Sequence, residues 1–325
     1  MKRTLMLSAV SALLLGAAVI PAAASDCAGF LPPNDLSIPV DSPQAKGIVE
    51  AQFHEVLDII QRIYAPIVAA DGGKLVINRK WTDATVNASA YQSGGNYYLN
   101  MYGGLARHDK VTMDGFALVA CHELGHHLGG APKLSSWNSW ASIEGQSDYY
   151  ANLKCLRQVF SDPAAKWVTT MAEGDEVAIA ACEATFADAD DRAVCMRGAM
   201  AGKSVAYLFQ ALHNSTVVPS YATPATNVAT TMLTTHPPTQ CRLDTYLAGS
   251  LCTQPVSAAV SDSDVTAGVC TRSGGFTTGF RPLCWYKPAN PAELLPPGSR
   301  TFGFGLDEEQ APAFNMLKAG LPSYN

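Results

Sequence analysis

The chain is poor in charge, and the charge it has is acidic. Charged side chains make up 15% of it, with 22 basic against 28 acidic residues and a net charge of −6. It has no extended cluster of Lys or Arg. Basic patches are what neutralise phosphate, so their lack argues against nucleic acid and against anionic membrane surfaces as partners. A second long apolar run is also missing. After Leu5–Ile20 no stretch reaches the roughly 20 apolar residues that a membrane-spanning helix needs. Internal repeats are absent. Asp71-Gly72-Gly73 and Gly129-Gly130 read as turns and caps rather than phosphate loops, because no Lys-Ser/Thr pair follows either.

The one long apolar run has the order of a secretory leader. Lys2 and Arg3 precede it, and Pro21 with Ala22, Ala23 and Ala24 follow it. Residues 1–24 are therefore set aside, with cleavage expected after Ala24 and a periplasmic or secreted destination. Asp26 stands just before Cys27, where lipid attachment would want a small residue. The nine cysteines fit an oxidising compartment. An odd number leaves one over in a monomer. Cys121, inside an apolar helix, is the expected free thiol. Proximity suggests Cys182–Cys195, Cys241–Cys252 and Cys270–Cys284.

Along the chain, apolar residues at helical spacing predict a helix over about 42–69. Strand-like composition covers 75–81 and 84–101, broken by Ser93-Gly94-Gly95. Further helices are expected at about 113–128, 139–160, 173–188 and 190–213, and from 239. Past 252 the chain is rich in Gly, Pro, Ser and Thr. The expected division is a leader (1–24), a main domain (25–252) and a loop-rich, cysteine-containing appendage (253–325). The fold class is α+β and mainly helical, with a small mixed sheet beside the helix at 113–128.

The chain has only seven histidines, yet three of them fall within CHELGHHLGG, residues 121–130. His122-Glu123-Leu124-Gly125-His126 is an H-E-x-x-H pattern after the apolar run GFALVAC. On a helix, residues i and i+4 share a face, so both imidazoles can reach one Zn²⁺. Glu123, one step round, can face a metal-bound water as general base. Burying those histidines unpaired among Phe116, Ala117, Leu118, Val119 and Ala120 would be costly. A third histidine at the metzincin spacing is ruled out by Pro132. An acid one helix on is available: Glu144 lies 18 residues past His126, with Asp148 at i+4 on its face. Glu144 can complete a three-ligand site, and Asp148 can fix the tautomer of a ligand histidine. Asp148 as third ligand is the alternative. His127, His54, His108 and His213 are read as structural.

This set resembles gluzincin metallopeptidases, most of all the HtpX-type, BepA-type and CAAX-prenyl-protease-type zinc endopeptidases. Asn87-Ala88-Ser89-Ala90 with Gly94-Gly95 and Gly103-Gly104-Leu105 resembles the strand and turn before that family's active-site helix. Thr235-His236-Pro237-Pro238 with Arg242 resembles its H-P…R motif. The resemblance implies a zincin-like core, zinc on His122, His126 and Glu144, Glu123 as general base, and His236 near the zinc. It also implies an edge strand at about 96–101 that takes an extended protein or peptide substrate by strand addition. The expected function is an exported zinc endopeptidase. A cell-envelope chaperone with a closed zinc site, His236 filling the fourth position, is the alternative.

Overall fold

The computed structural model describes residues 25–26, 29–134, 139–165 and 175–294. The expected leader (1–24), Cys27 and the last stretch of the tail, 295–325, lie outside the described residues. The fold is α+β, built on a small mixed sheet and eight helices among the described residues.

Strands β1 (Ser25–Asp26), β2 (Lys74–Lys80), β3 (Ala88–Ser93) and β4 (Asn96–Tyr102) lie in the order β1-β3-β4-β2. A tight turn at Gly94 and Gly95, both at positive φ, folds β3 antiparallel onto β4. β2 runs parallel to β4 on the other side. β4 is thus bonded along both flanks. The expectation of a free edge at 96–101 is corrected: a strand whose backbone groups are taken on both sides has none left for a peptide.

Helix α1 (Glu50–Ala70) starts eight residues later than the Ser42-Pro43 signal suggested. The intervening backbone is committed elsewhere. Lys46 and Gly47 donate to the Arg107 carbonyl and Ile48 to that of Ala106, which leaves none of them for a helical turn. Gln52 Oε1 then caps the helix by accepting from Val49 N. After β4 come the short α2 (Gly103–Ala106) and the central helix α3 (Met113–Leu128). Thr112 Oγ1 caps α3 by accepting from Gly115 N at 3.0 Å. Met113 to His127 is buried throughout, because α1, the sheet, α4 and α7 surround the helix.

The helix expected over 139–160 begins only at Glu144. Residues 141–143 are held extended by bonds from Leu134 N to Ala141 O and from Ile143 N to Pro132 O. α4 (Glu144–Tyr150) runs into a π-helical segment at Ala151–Cys155 and then α5 (Leu156–Phe160). The remaining helices are α6 (Glu176–Thr185), α7 (Ala189–Leu212) and α8 (Thr239–Leu251).

Four disulfides are present among the described residues, and they fit an oxidising environment. Cys182–Cys195 is as expected. Cys121 is not free: the π segment turns Cys155 onto α3, and the two are bonded. The other two bridges are Cys241–Cys284 and Cys252–Cys270, not the sequence-adjacent pairs. The chain past 252 folds back on α8, which brings Cys284 to that helix's start and Cys270 to its end. Residues 253–294 carry no regular element beyond a 3₁₀ turn at Pro291–Leu294. They nevertheless share a hydrophobic cluster with α4 and α8, in which Val269, Trp285 and Tyr286 pack on Ile143, Tyr149 and Leu153. No described helix is long and apolar enough to cross a membrane.

Cys121–Cys155 closes 34 residues of chain around the central helix. A loop of that size implies about 3–4 kcal/mol from restriction of the unfolded chain. Replacing both cysteines with alanine is expected to lower the unfolding free energy by that amount, read as a lower urea midpoint. An unchanged midpoint would contradict it.

Candidate metal centre

α3 sets His122 and His126 one turn apart on one face, their rings edge to face with centroids 4.7 Å apart. Glu144, the first residue of α4, faces them because the two helices nearly touch. A Cβ at Gly125 would stand 2.8 Å from the Ser147 carbonyl oxygen, so only glycine in the x-x of the motif permits this approach. The far side of α4 is equally tight. A Cβ at Gly145 would stand 2.3 Å from the Trp285 ring. The chain past 252 therefore supports the helix that carries the third acid.

His122 Nε2 lies 3.4 Å from Glu144 Oε2, and His126 Nε2 lies 3.6 Å from Glu144 Oε1. One donor atom from each residue falls within 4.8 Å of the others, and all three residues are buried. A tetrahedral ion at about 2.0–2.1 Å from its donors separates them by roughly 3.4 Å. The donor spacing thus fits such an ion. The chemistry fits as well. His122 Nε2, His126 Nε2 and Glu144 Oε2 are buried and have no hydrogen-bond partner. Buried polar atoms without partners are costly, and three converging on one point are what a cation satisfies.

The outward nitrogens are fixed. His122 Nδ1 donates to Asp148 Oδ1 at 2.7 Å, and His126 Nδ1 donates to the Ser142 carbonyl at 2.8 Å with Ser147 Oγ at 3.0 Å. With Nδ1 carrying the hydrogen, each Nε2 presents its lone pair to the centre. Asp148 is therefore the partner of a ligand histidine rather than a ligand. Its Oδ1 accepts from two more donors, Arg242 Nη2 at 2.7 Å and Tyr246 Oη at 2.9 Å. Burial pushes the Asp148 carboxyl up, but Arg242 and His122 beside it outweigh this and bring it down to about 2.

The centre itself favours one positive charge. Burial would lower His122, yet Asp148 and Glu144 hold it up at about 9 in the metal-free protein. His126 is pushed down to about 4, first by burial and then by His122, against the pull of Glu144. A cation binding at this pair would displace a proton from His122 and leave both Nε2 lone pairs free.

Glu123 is fully buried, and both its carboxylate oxygens lack hydrogen-bond partners. Burial pushes it up to about 8, against the pull of His122 and with Glu144 adding to the rise. A carboxyl in that position can take a proton and return it near neutral pH.

His236 and Arg242 join the same group. His236 Nε2 is 3.5 Å from Glu144 Oε2 and donates to the Gly29 carbonyl at 2.8 Å. Since a carbonyl accepts, that nitrogen carries the hydrogen and has no lone pair for a metal in this arrangement. Arg242 is completely buried, holds Asp148, and donates through Nη1 to the Phe30 carbonyl at 3.2 Å. His127 sits outside the centre, stacked between Tyr97 and Trp140, with Nε2 donating to the Tyr98 carbonyl.

Several contributors were not among the candidates. Tyr246 had a readable signal, because it lies at i+4 from Arg242 on α8. Ser147 had one too, between Gln146 and Asp148 in the acid's helix. Gly29, Phe30 and Trp285 had none, since only the tertiary fold brings them in. Comparison with known proteins adds no relative: no family model, no curated protein and no solved structure matches the chain.

Proposed function

We propose that this chain is an exported zinc metalloendopeptidase with a zincin-like core, which hydrolyses peptide bonds in extended or unfolded protein substrates. The observation that carries the reading is the convergence of three unpartnered donors, His122 Nε2, His126 Nε2 and Glu144 Oε2, with a buried, unpartnered Glu123 beside them. His122, His126 and Glu144 would hold the ion. Zinc bound there supplies Lewis acidity, lowering the pKa of water to about 7 and polarising a carbonyl.

The chain's own groups do the rest. Glu123 receives the proton from the attacking water at its carboxylate and delivers it to the leaving amine. Burial pushes it up to about 8 without a cation, and a cation bound beside it would favour the base form it starts from. His236 offers a hydrogen at Nε2 toward a carbonyl, the role of a donor to developing negative charge. Asp148, Arg242 and Tyr246 keep the His122 ring and tautomer fixed. The H-E-x-x-H and E-x-x-x-D spacing and the H-P…R stretch support the likeness to gluzincin endopeptidases.

A chaperone whose zinc shell is closed by His236 is the other reading. The burial of the centre is in its favour, but the hydrogen on His236 Nε2 is directed at Gly29 and not at a metal.

His126→Ala tests the ligand set. It is expected to reduce zinc from one ion per chain to well under a tenth of that after dialysis, measured by metal analysis, with casein cleavage lost in parallel. Retention of stoichiometric zinc would remove the assignment.

A further inference from the structure

β3 has two flanks. One pairs with β4, and the other is taken by the chain's own Ser25–Asp26. Asp26 pairs antiparallel with Tyr91 and Ser25 with Gln92. Phe30 N donates to the Ala88 carbonyl at 2.9 Å. Asn87 then grips Leu31 at both its backbone groups, accepting from its N–H at 2.9 Å and donating to its carbonyl at 3.2 Å. The run continues antiparallel as far as the bridge between Ser37 and Thr85.

This is how a peptide adds to a sheet edge. It also leads to the metal centre. The Gly29 carbonyl accepts from His236 Nε2, which lies 3.5 Å from Glu144. The Phe30 ring packs edge to face on His122, centroids 4.9 Å apart, and its carbonyl accepts from Arg242. The centre is buried in this arrangement: Glu123, His122 and His126 are 0% exposed.

We infer that the outer flank of β3 is the peptide-binding edge of this site, and that the chain's own Ser25–Asp26, together with the Gly29 carbonyl, stands there in place of a substrate. The inference rests on the peptidase reading above. The Gly29 carbonyl takes the position of a substrate carbonyl at His236. The two parts of the segment are held differently. Phe30 and Leu31 are buried in the core and stay as an anchor. Ser25–Asp26 is a two-residue strand, held by the few backbone bonds that such a pairing makes, which a peptide in trans can replace. Gly29 marks the boundary. A Cβ there would come 2.7 Å from Asn87 Nδ2, against the side chain that clamps Leu31.

The test compares three zinc-loaded proteins: the exported chain, the chain lacking residues 25–28, and Gly29→Ala. Two readouts are taken. One is the rate of zinc transfer to a chromogenic chelator. The other is the anisotropy of a fluorescein-labelled peptide spanning residues 25–29 with serine for Cys27, which needs no metal. Both variants are expected to release zinc roughly tenfold faster and to bind the peptide roughly tenfold more tightly than the exported chain, the effect of removing one competing occupant. Unlabelled peptide should slow zinc release again in the shortened chain. A folded shortened chain that matches the exported chain in both readouts overturns the inference. If the shortened chain does not fold, Gly29→Ala decides by the same readouts. Casein cleavage is scored separately. Faster release and tighter peptide binding without cleavage keep the occupant and remove the peptidase reading. Cleavage with neither change keeps the peptidase and removes the occupant.

Discussion

Glu123→Gln is expected to keep its zinc and to cut unfolded casein at least about a hundredfold more slowly than the parent chain, the scale on which a positioned general base contributes. The substitution preserves shape. Both Glu123 oxygens are without partners, so the amide breaks no bond in the fold. It removes the one property the mechanism uses, a carboxylate that can take a proton and give it back. Stability should change little, because a group that burial pushes to about 8 gains nothing from being ionised there. Cleavage rates, zinc content and urea midpoints of the two chains check this together. Equal turnover would rule out Glu123 as the base. Loss of zinc would mean that Glu123 supports the ligands.

Asp148→Ala is the second large effect, and it falls on stability. Three donors converge on one oxygen of this buried carboxylate: the His122 ring, the Arg242 guanidinium and the Tyr246 hydroxyl. Removing it leaves a fully buried arginine without its counter-charge. The expected cost is about 3–5 kcal/mol by urea unfolding. Zinc affinity should fall about 10–100-fold, because nothing then fixes the His122 tautomer. Asp148→Asn, which keeps an acceptor oxygen, should lose less stability while still losing zinc affinity.

The pH dependence follows from the direction of the shift. The Asp148 carboxyl sits at about 2 in the fold, below its ordinary value of 3.8. Its stabilising contribution is therefore complete above about 4 and disappears as pH falls toward about 2. Measured on metal-free protein, the stability gap between the parent chain and Asp148→Ala should be full at pH 7 and narrow below about pH 4. A gap independent of pH would mean that the loss comes from packing and not from charge.

Much of the candidate centre was legible because it depends on helical spacing. His122 and His126 share a face at i and i+4, Glu144 and Asp148 do so again, and the apolar residues before His122 required a buried helix. The strand–turn–strand unit around Gly94-Gly95 was legible for the same local reason. What was not legible depends on where distant pieces meet. The order β1-β3-β4-β2 is not a property of any one strand, so nothing in Asn96–Tyr102 indicated that both its flanks would be filled. Cys121 looked like a buried free thiol because its partner, Cys155, reaches it only through a π-helical turn. Cys241 and Cys284 are 43 residues apart and meet because Trp285 packs against α4 and α8, its Nε1 donating to Thr245 Oγ1 at 2.9 Å. Ser42-Pro43 marked a turn as readily as a helix start, and the Arg107 carbonyl decided between them.

The most direct measurement is cleavage of unfolded casein by the purified chain from Ser25 onward, run beside the chain that also lacks residues 25–28, with zinc counted before chelation, after it and after zinc is added back. The account predicts one zinc per chain, cleavage that stops when the ion is removed, and cleavage that returns with it. Cleavage indifferent to chelation, or full zinc content with no cleavage by either chain, would contradict it.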